Sequence, residues 1–171
     1  DWVLAPAESE QLLVATAYNI AASLLTSLGY VGVMALEFFY GPAGLMVNEI
    51  APRTHNSGHF SIEACSSSQF DQQLCITAGL PVPAPDLITP GAIMVNLLGL
   101  PPEGTAPLNS RLAAIEAMSR SHLHWYGKQE MPGRKVGHVT VLLEQTDPVA
   151  RSQEASEVLE KIRAIWPNPL N

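Results

Sequence analysis

The chain is poor in positive charge, in cysteine and in uninterrupted apolar stretches, and each shortage excludes a class of protein. Its 171 residues carry nine Lys and Arg against sixteen Asp and Glu, a net charge of −7. This argues against a non-specific nucleic-acid binder, because such proteins neutralise phosphates with cations. Two cysteines are too few for a disulfide framework and match no metal-binding spacing. With no apolar run of the roughly 20 residues that span a membrane and no secretory signal pattern, we expect a cytoplasmic protein.

Hydrophobic periodicity divides the chain into alternating helices and strands, which predicts an α+β fold. Four prolines within residues 80–90 indicate an extended crossover. We therefore predict two domains, residues 1–85 and residues 86–171. The predicted helices are 8–28, 61–78, 108–119 and 150–165, and the predicted strands are 30–40, 45–51, 92–98, 122–126 and 136–143.

Two glutamates stand out in the predicted hairpin of residues 30–51. Glu37 is the only charged residue of its strand, and symmetric pairing about Ala43 places it opposite Glu49. Two carboxylates on a largely apolar face repel each other unless something compensates. Mg²⁺ would do so, because it is commonly held by one or two carboxylates together with substrate phosphates. An acid–base pair with separated pKa values, or a glutamate that points to solvent at a sheet edge, are the alternatives.

A polar segment follows this hairpin and precedes a predicted helix. It crowds Arg53, His55, Asn56 and His59 into seven residues. A helix N-terminus with free N–H groups suits an anion, and the guanidinium fork matches a carboxylate or phosphate. A zinc site on His55 and His59 is the weaker alternative, because no third ligand is evident.

A second group of cations surrounds the predicted hairpin of residues 122–143. Lys128, Arg134 and Lys135 come together at its turn. Three cations at one turn of an acidic protein suggest a site for a phosphate monoester. A solvated hairpin tip is the plain alternative.

Six segments, taken together, resemble the 5-(carboxyamino)imidazole ribonucleotide synthase family, the ATPase subunit of phosphoribosylaminoimidazole carboxylase. The likeness runs in order over residues 2–142, and the last thirty residues carry no family signal. The most specific parts are Asn-Glu-Ile-Ala-Pro-Arg-Thr-His-Asn-Ser-Gly-His and His-Trp-Tyr-Gly-Lys followed by Pro-Gly-Arg-Lys. The segments are residues 29–37, 47–59, 68–70, 94–99, 122–128 and 132–138.

This resemblance implies the C-terminal part of an ATP-grasp domain, an antiparallel sheet with helices, followed by a small mixed α/β lobe. The implied activity is ATP-dependent carboxylation of 5-aminoimidazole ribonucleotide with bicarbonate, through carboxyphosphate, in de novo purine biosynthesis. ATP and Mg²⁺ are the implied cofactors. Glu37 and Glu49 match the family's metal ligands, and Asn48 with Glu49 match nucleotide-binding positions.

The resemblance also implies roles for the two polar clusters. The residues expected near bicarbonate and carboxyphosphate, as the catalytic group, are Arg53, His55 and Asn56. Those expected to hold the ribonucleotide 5′-phosphate are Lys128, Arg134 and Lys135.

Some features depart from the family pattern. Ala51 stands where many ATP-grasp ligases have Asn, and Met131 stands where the family commonly has Arg. Residues 1–127 contain no lysine and no Gly-rich nucleotide loop. We therefore expect the missing ATP-binding parts to lie before Asp1, and the isolated chain neither to bind ATP tightly nor to turn over.

The expected partners are the small-molecule substrates and a second copy in a homodimer of the full-length protein, with no nucleic acid and no membrane. Two other functions stay open. One is a non-catalytic ATP-grasp-like interaction module, and the other is a related ATP-grasp ligase acting on another nucleotide.

Overall fold

A computed structural model describes residues 2–169, which form two compact units. The hairpin unit comprises residues 7–62 and 66–86; the sheet unit comprises the chain up to Pro6, residues 63–65 and the chain from Leu87 onward. Helices and antiparallel strands confirm the α+β class. The division at residue 85 stays a prediction.

The elements are β1 (Trp2–Ala5), α1 (Gln11–Leu28), β2 (Ala35–Gly41), β3 (Gly44–Ala51), α2 (Ser61–Ala64), α3 (Gln69–Ala78), β4 (Gly91–Leu98), α4 (Leu108–Glu116), β5 (Ser121–Trp125), β6 (Lys135–Leu143) and α5 (Pro148–Ile165), with a 3₁₀ turn at Asn56–Gly58.

The hairpin unit is built on the antiparallel pair β2–β3. Its ladder runs from Gly41 opposite Gly44 at the turn to Ala35 opposite Ala51 at the far end. The first strand therefore begins at Ala35, and the predicted start at residue 30 is wrong. The reason lies in the partner strand, since Pro52 has no N–H to continue the ladder.

The single helix predicted over residues 61–78 is also wrong, because the chain forms two helices there. α2 ends at Ala64, and Ser68 caps a new helix: its hydroxyl accepts the Asp71 N–H at 3.2 Å, and its own N–H donates to the Asp71 carboxylate at 2.9 Å. Hydrogen bonds from the hydroxyl and then the N–H of Ser68 lower the pKa of Asp71. This reciprocal capping box fixes where α3 starts.

The sheet unit contains a four-stranded antiparallel sheet in the order β1-β4-β6-β5. Alternate residues of β4 and β6 join one core, with α5 packed against these two strands and α4 packed against β5. The edge strand β1 was not predicted, because four residues are too short to show a period. The buried core comprises Ile93, Val95, Leu97, Leu100, Ile115, Val136, Val139, Val141, Leu143, Ala155, Val158, Ile162 and Trp166.

Helix α1 is apolar yet has no buried residue in the structure. Leu12 is 77% exposed and Tyr18 is 73% exposed. Among residues 2–169 it is the one helix long and apolar enough to cross a membrane, with a mean hydropathy of 1.3. This is weak evidence for a span, because core helices of soluble proteins and signal sequences meet the same criterion.

Candidate functional site

The hairpin places the two glutamates opposite each other by means of a β-bulge. At the turn a two-residue connection pairs Phe38 with Val47, so the predicted symmetry about Ala43 is wrong there. The register then shifts between Glu37 and Phe38, and Glu37 pairs with Glu49. Residues directly opposite in a ladder share a face, so the predicted pairing of the carboxylates is confirmed. Bulges of this kind commonly re-aim side chains beside functional sites.

Polar neighbours partly offset the two negative charges. The Asn48 side-chain amide donates to Glu37 Oε2 at 3.3 Å, and His55 Nε2 lies 3.6 Å from Glu37 Oε1. Arg53 lies 3.8 Å from Glu49 Oε1. The side chains of Glu37 and Glu49 are 39% and 50% exposed, and exposed ion pairs contribute little to stability. The carboxylates therefore remain accessible to a ligand.

The ring of His55 is oriented by its own loop. Its Nδ1 accepts the Ser57 N–H at 3.3 Å and lies 2.9 Å from Ser57 Oγ. Because a backbone N–H can only donate, the neutral ring carries its proton on Nε2. That N–H faces the Glu37 carboxylate.

Gln69, at the start of α3, holds this loop and was not predicted as a site residue. Its Oε1 accepts the His55 N–H and its Nε2 donates to the His55 carbonyl, both at 2.8 Å. Nε2 also lies 2.9 Å from His59 Nδ1, and a Cβ on Gly58 would lie only 2.8 Å from Gln69 Oε1. The Gln69 side chain thus pairs with both backbone groups of His55, as the backbone of a neighbouring strand would. No local pattern of sequence signals such a role for a lone glutamine.

Replacing Gln69 with Met should destabilise the loop, because it leaves both backbone groups of His55 without their partners. Each buried unpaired group costs about 1–3 kcal/mol, so we expect the two groups together to lower the free energy of unfolding by roughly 2–6 kcal/mol. Urea denaturation measures it. The exposed Gln145→Met is the matched control. A loss no larger than the control's would contradict this role for Gln69.

Asn56 and the second histidine complete the polar segment. Within the described residues, Asn56 Oδ1 is buried without a hydrogen-bond partner, which marks an acceptor that a ligand or water could satisfy. His59 packs on Phe70 with ring centroids 5.5 Å apart. Over residues 2–169, no group of three or more His, Cys, Asp and Glu side chains is arranged to hold a metal. A cation at the glutamate pair would therefore find fewer than three ligands of these four residue types among the described residues.

The sheet unit carries the cationic cluster on the loop between β5 and β6 and at the start of β6. The ammonium groups of Lys128 and Lys135 lie 5.1 Å and 5.8 Å from the centre of the Tyr126 ring. The Tyr126 hydroxyl is 2.7 Å from His138 Nδ1, which fixes the ring. Burial, and then the positive charge of Lys128, lower the pKa of Lys135 from 10.5 to about 8. Arg134 is exposed and directly precedes Lys135 in the chain.

A row of polar side chains that includes the buried His138 adjoins this cluster. His124 stacks on His138 with ring centroids 4.5 Å apart, and its Nε2 lies 2.5 Å from the Glu63 carboxylate. Glu63 was not predicted. It reaches these strands from the short helix α2, sixty-one residues earlier in the chain.

The structure thus gathers the sequence-predicted residues into two clusters, one in each unit. Their roles as ligands or catalytic groups remain predictions. The hairpin unit contains Glu37, Asn48, Glu49, Arg53, His55 and Asn56; the sheet unit contains Lys128, Arg134 and Lys135.

Two family models match the chain. The ATP-grasp domain matches residues 1–70, and the phosphoribosylaminoimidazole carboxylase C-terminal domain matches residues 92–152. The chain is thus built from part of an ATP-grasp protein, which confirms the fold expected from the resemblance.

Relatives and solved structures define the family within that class. N5-carboxyaminoimidazole ribonucleotide synthase of Synechococcus elongatus is 47% identical over 171 residues, which are 98% of this chain and 42% of the relative. The corresponding synthetase structure from Thermus thermophilus has a TM-score of 0.78 at 38% identity, covering 96% of this chain and 42% of that one. A synthase structure from Aspergillus clavatus, in complex with ADP and 5-aminoimidazole ribonucleotide, has a TM-score of 0.77 at 29% identity, covering 94% and 43%.

The chain belongs to the N5-carboxyaminoimidazole ribonucleotide synthase family, and it spans about 42% of the length of these relatives.

Proposed function

We propose that the chain supplies part of the active site of an ATP-grasp ligase that carboxylates 5-aminoimidazole ribonucleotide in purine biosynthesis. In this reaction a bicarbonate oxygen attacks the γ-phosphorus of ATP, giving carboxyphosphate and releasing ADP. The exocyclic amine of the ribonucleotide then attacks the carboxyl carbon, and phosphate leaves. The observation that carries the proposal is the pairing of Glu37 with Glu49 beside Arg53 and His55, in a chain 47% identical to a named synthase.

The glutamate pair fits Mg²⁺. It offers two hard oxygen donors, opposite each other and accessible, and Mg²⁺ usually takes one or two carboxylates plus substrate phosphates. Glu37 and Glu49 would hold the ion, with Asn48 orienting Glu37 through its amide. Bound there, Mg²⁺ would neutralise negative charge on the ATP phosphates.

Arg53 and His55 fit the anionic part of the reaction. Arg53 is 62% exposed and its pairing with Glu49 is long, at 3.8 Å, so its guanidinium can turn to a bicarbonate or carboxyphosphate oxygen. The Nε2–H of His55 is a second donor, held in place by Ser57 and Gln69. Such preset donors stabilise charge that develops in the transition state. Asn56 supports the same segment from the 3₁₀ turn.

Lys128, Arg134 and Lys135 fit a phosphate monoester. Arginine and lysine both form charge-assisted hydrogen bonds to phosphate, and the ammonium groups of Lys128 and Lys135 both lie within 6 Å of the centre of the Tyr126 ring, at 5.1 and 5.8 Å. We propose that this cluster binds the ribonucleotide 5′-phosphate. Met131, where the family commonly has Arg, leaves the cluster with three cations.

The proposal can be tested in a chimera in which this chain replaces the aligned part of the Synechococcus elongatus enzyme. We expect ADP release that depends on both bicarbonate and 5-aminoimidazole ribonucleotide. Release that depends on another nucleotide would favour a different ATP-grasp ligase. No release from a folded chimera would favour a non-catalytic module.

Affinity for a phosphate monoester should depend on pH through Lys135. Phosphate favours the protonated lysine, whose pKa is lowered to about 8, so binding should weaken as pH rises through 8. Each pH unit above the pKa removes at most about tenfold in affinity, by the same linkage that relates pKa to free energy. NMR titration with ribose 5-phosphate at pH 7 and pH 9 measures this. In Lys135→Arg the weakening should disappear, and its persistence would contradict the assignment.

We also propose a cytoplasmic homodimer that binds small-molecule substrates, and neither nucleic acid nor membrane. The acidic net charge of −7 supports the absence of nucleic acid. Sedimentation of the chimera checks the dimer.

A further inference from the structure

The loop of residues 126–134, which joins β5 to β6, is docked against the end of β4 through its backbone. Gly99 N–H donates to the Arg134 carbonyl at 2.7 Å, and Gly133 N–H donates to the Gly99 carbonyl at 2.9 Å. The approach is so close that a Cβ on Gly99 would lie 2.1 Å from the Met131 carbonyl oxygen. A hairpin tip that merely links two strands needs no such docking.

A largely buried ion pair, with side chains 4% and 18% exposed, also fixes this loop. The Glu130 carboxylate accepts both terminal N–H groups of Arg111, at 2.9 and 2.8 Å, and the Leu100 N–H at 3.1 Å. Arg111 is only 4% exposed and its Nε donates to the Ala106 carbonyl at 2.9 Å. Its guanidinium lies 4.1 Å from the centre of the fully buried Trp166 ring.

Burying an ion pair costs free energy, so its presence under this loop indicates a role beyond attaching a linker. Desolvation of two charges is offset only where the geometry is good and the remaining donors are satisfied, and both conditions hold here. Burial by itself raises the pKa of Glu130, but the hydrogen bonds from Arg111 and Leu100 outweigh it and the net pKa is lowered. Glu130 is therefore charged at neutral pH. A well-packed apolar side chain could have attached a linker at lower cost.

The loop that this pair fixes carries the cations of the sheet unit. Lys128 lies two residues before Glu130, and Arg134 lies four residues after it. Both side chains are exposed, while the backbone between them is tied to Gly99 and Arg111. Ordering a loop before the ligand arrives removes that entropic cost from binding.

We propose that Arg111 and Glu130 are positioning residues for anion binding: they hold residues 126–134 in the conformation that presents Lys128 and Arg134 to a phosphate monoester before it binds. The inference rests on the proposed phosphate site. It adds that the affinity of this site depends on a buried ion pair that never touches the ligand.

The test uses the ¹⁵N-labelled chain with ribose 5-phosphate as probe. Glu130→Gln keeps the shape and removes the charge. We expect its dissociation constant to rise about tenfold, the penalty for ordering part of the loop on binding, and the ligand-free amide of Gly133 to exchange with solvent at least about tenfold faster. The matched control is Glu144→Gln, which removes an ion pair with Arg120 at 2.8 Å whose glutamate is 70% exposed. The control should change neither quantity.

Each outcome decides between two claims. Equal affinity in wild type and Glu130→Gln, with wild-type binding intact, would overturn the positioning role and leave the phosphate site standing. No binding by wild type would overturn the phosphate site and the positioning role together. Should Glu130→Gln fail to fold, Arg111→Lys keeps a cation but loses the two-pronged geometry, and it should show the same losses. Wild type alone supplies a further check, because an unprotected Gly133 amide without ligand would overturn the preordered loop.

Discussion

Glu49→Gln in the chimera with the Synechococcus elongatus enzyme is expected to lower kcat for carboxylation by roughly 10²–10³-fold. The neutral amide keeps the size of the side chain but removes one of two anionic donors from the proposed cation site. A bound metal contributes several kcal/mol of charge stabilisation to phosphoryl chemistry, and each 1.4 kcal/mol is a factor of ten in rate. Steady-state ADP release with saturating substrates measures the loss.

Glu37→Gln should show a loss of the same order, because the two carboxylates share one face of the hairpin. Glu103→Gln, an exposed glutamate outside both clusters, is the control and should leave kcat unchanged. Raising the Mg²⁺ concentration should recover part of the activity of either site variant. Retained activity in Glu49→Gln would remove the metal assignment.

Lys128→Met is expected to raise the KM for 5-aminoimidazole ribonucleotide by about 10–100-fold with a smaller change in kcat. A hydrogen bond to a charged group contributes about 1.5–3 kcal/mol, and a 5′-phosphate lies away from the amine that reacts. The loss should therefore fall mainly on binding, which KM reports when chemistry is slow. Arg134→Met should behave alike.

Lys161→Met is the matched control for the phosphate cluster, because this exposed lysine lies on α5 and outside the cluster. Its KM should match that of the unsubstituted chimera. Normal KM values in both Lys128→Met and Arg134→Met would show that the 5′-phosphate binds elsewhere.

The glutamate pair shows how a sequence can predict a contact for an incomplete reason. Symmetric pairing about Ala43 gave Glu37 opposite Glu49, yet the turn is one residue out of that symmetry and a bulge restores it. Alternation alone cannot locate a bulge, since one inserted residue leaves the hydrophobic pattern on each side intact. Without the bulge, Glu37 would face Asn48.

Long periodic elements were predicted well, and interruptions were not. The strands β4 and β6 and the helix α5 lie at nearly the predicted bounds. β4 is an almost continuous apolar run, and β6 and α5 are periodic. The break between α2 and α3 depends on Ser68 and Asp71 capping each other. That signal was present in the sequence but was hidden within an otherwise helical stretch.

Contacts between distant segments lay beyond sequence reasoning. The Gln69 side chain hydrogen-bonds the backbone of His55, fourteen residues earlier in the chain. Arg111 forms an ion pair with Glu130, nineteen residues later. No local sequence pattern around Gln69 or Arg111 identifies its partner. Both contacts depend on the fold, which brings a polar side chain next to a backbone group or a charge that would otherwise lack a partner.

The proposed mechanism requires that Glu37 and Glu49 together hold a divalent cation against the phosphates of ATP. Crystals of the chimera grown with Mn²⁺ and a non-hydrolysable ATP analogue would test it through anomalous scattering. We predict a manganese peak bonded to a carboxylate oxygen of each glutamate, at about 2.0–2.2 Å as expected for a hard octahedral cation. A peak on the analogue's phosphates that touches neither carboxylate would contradict the claim.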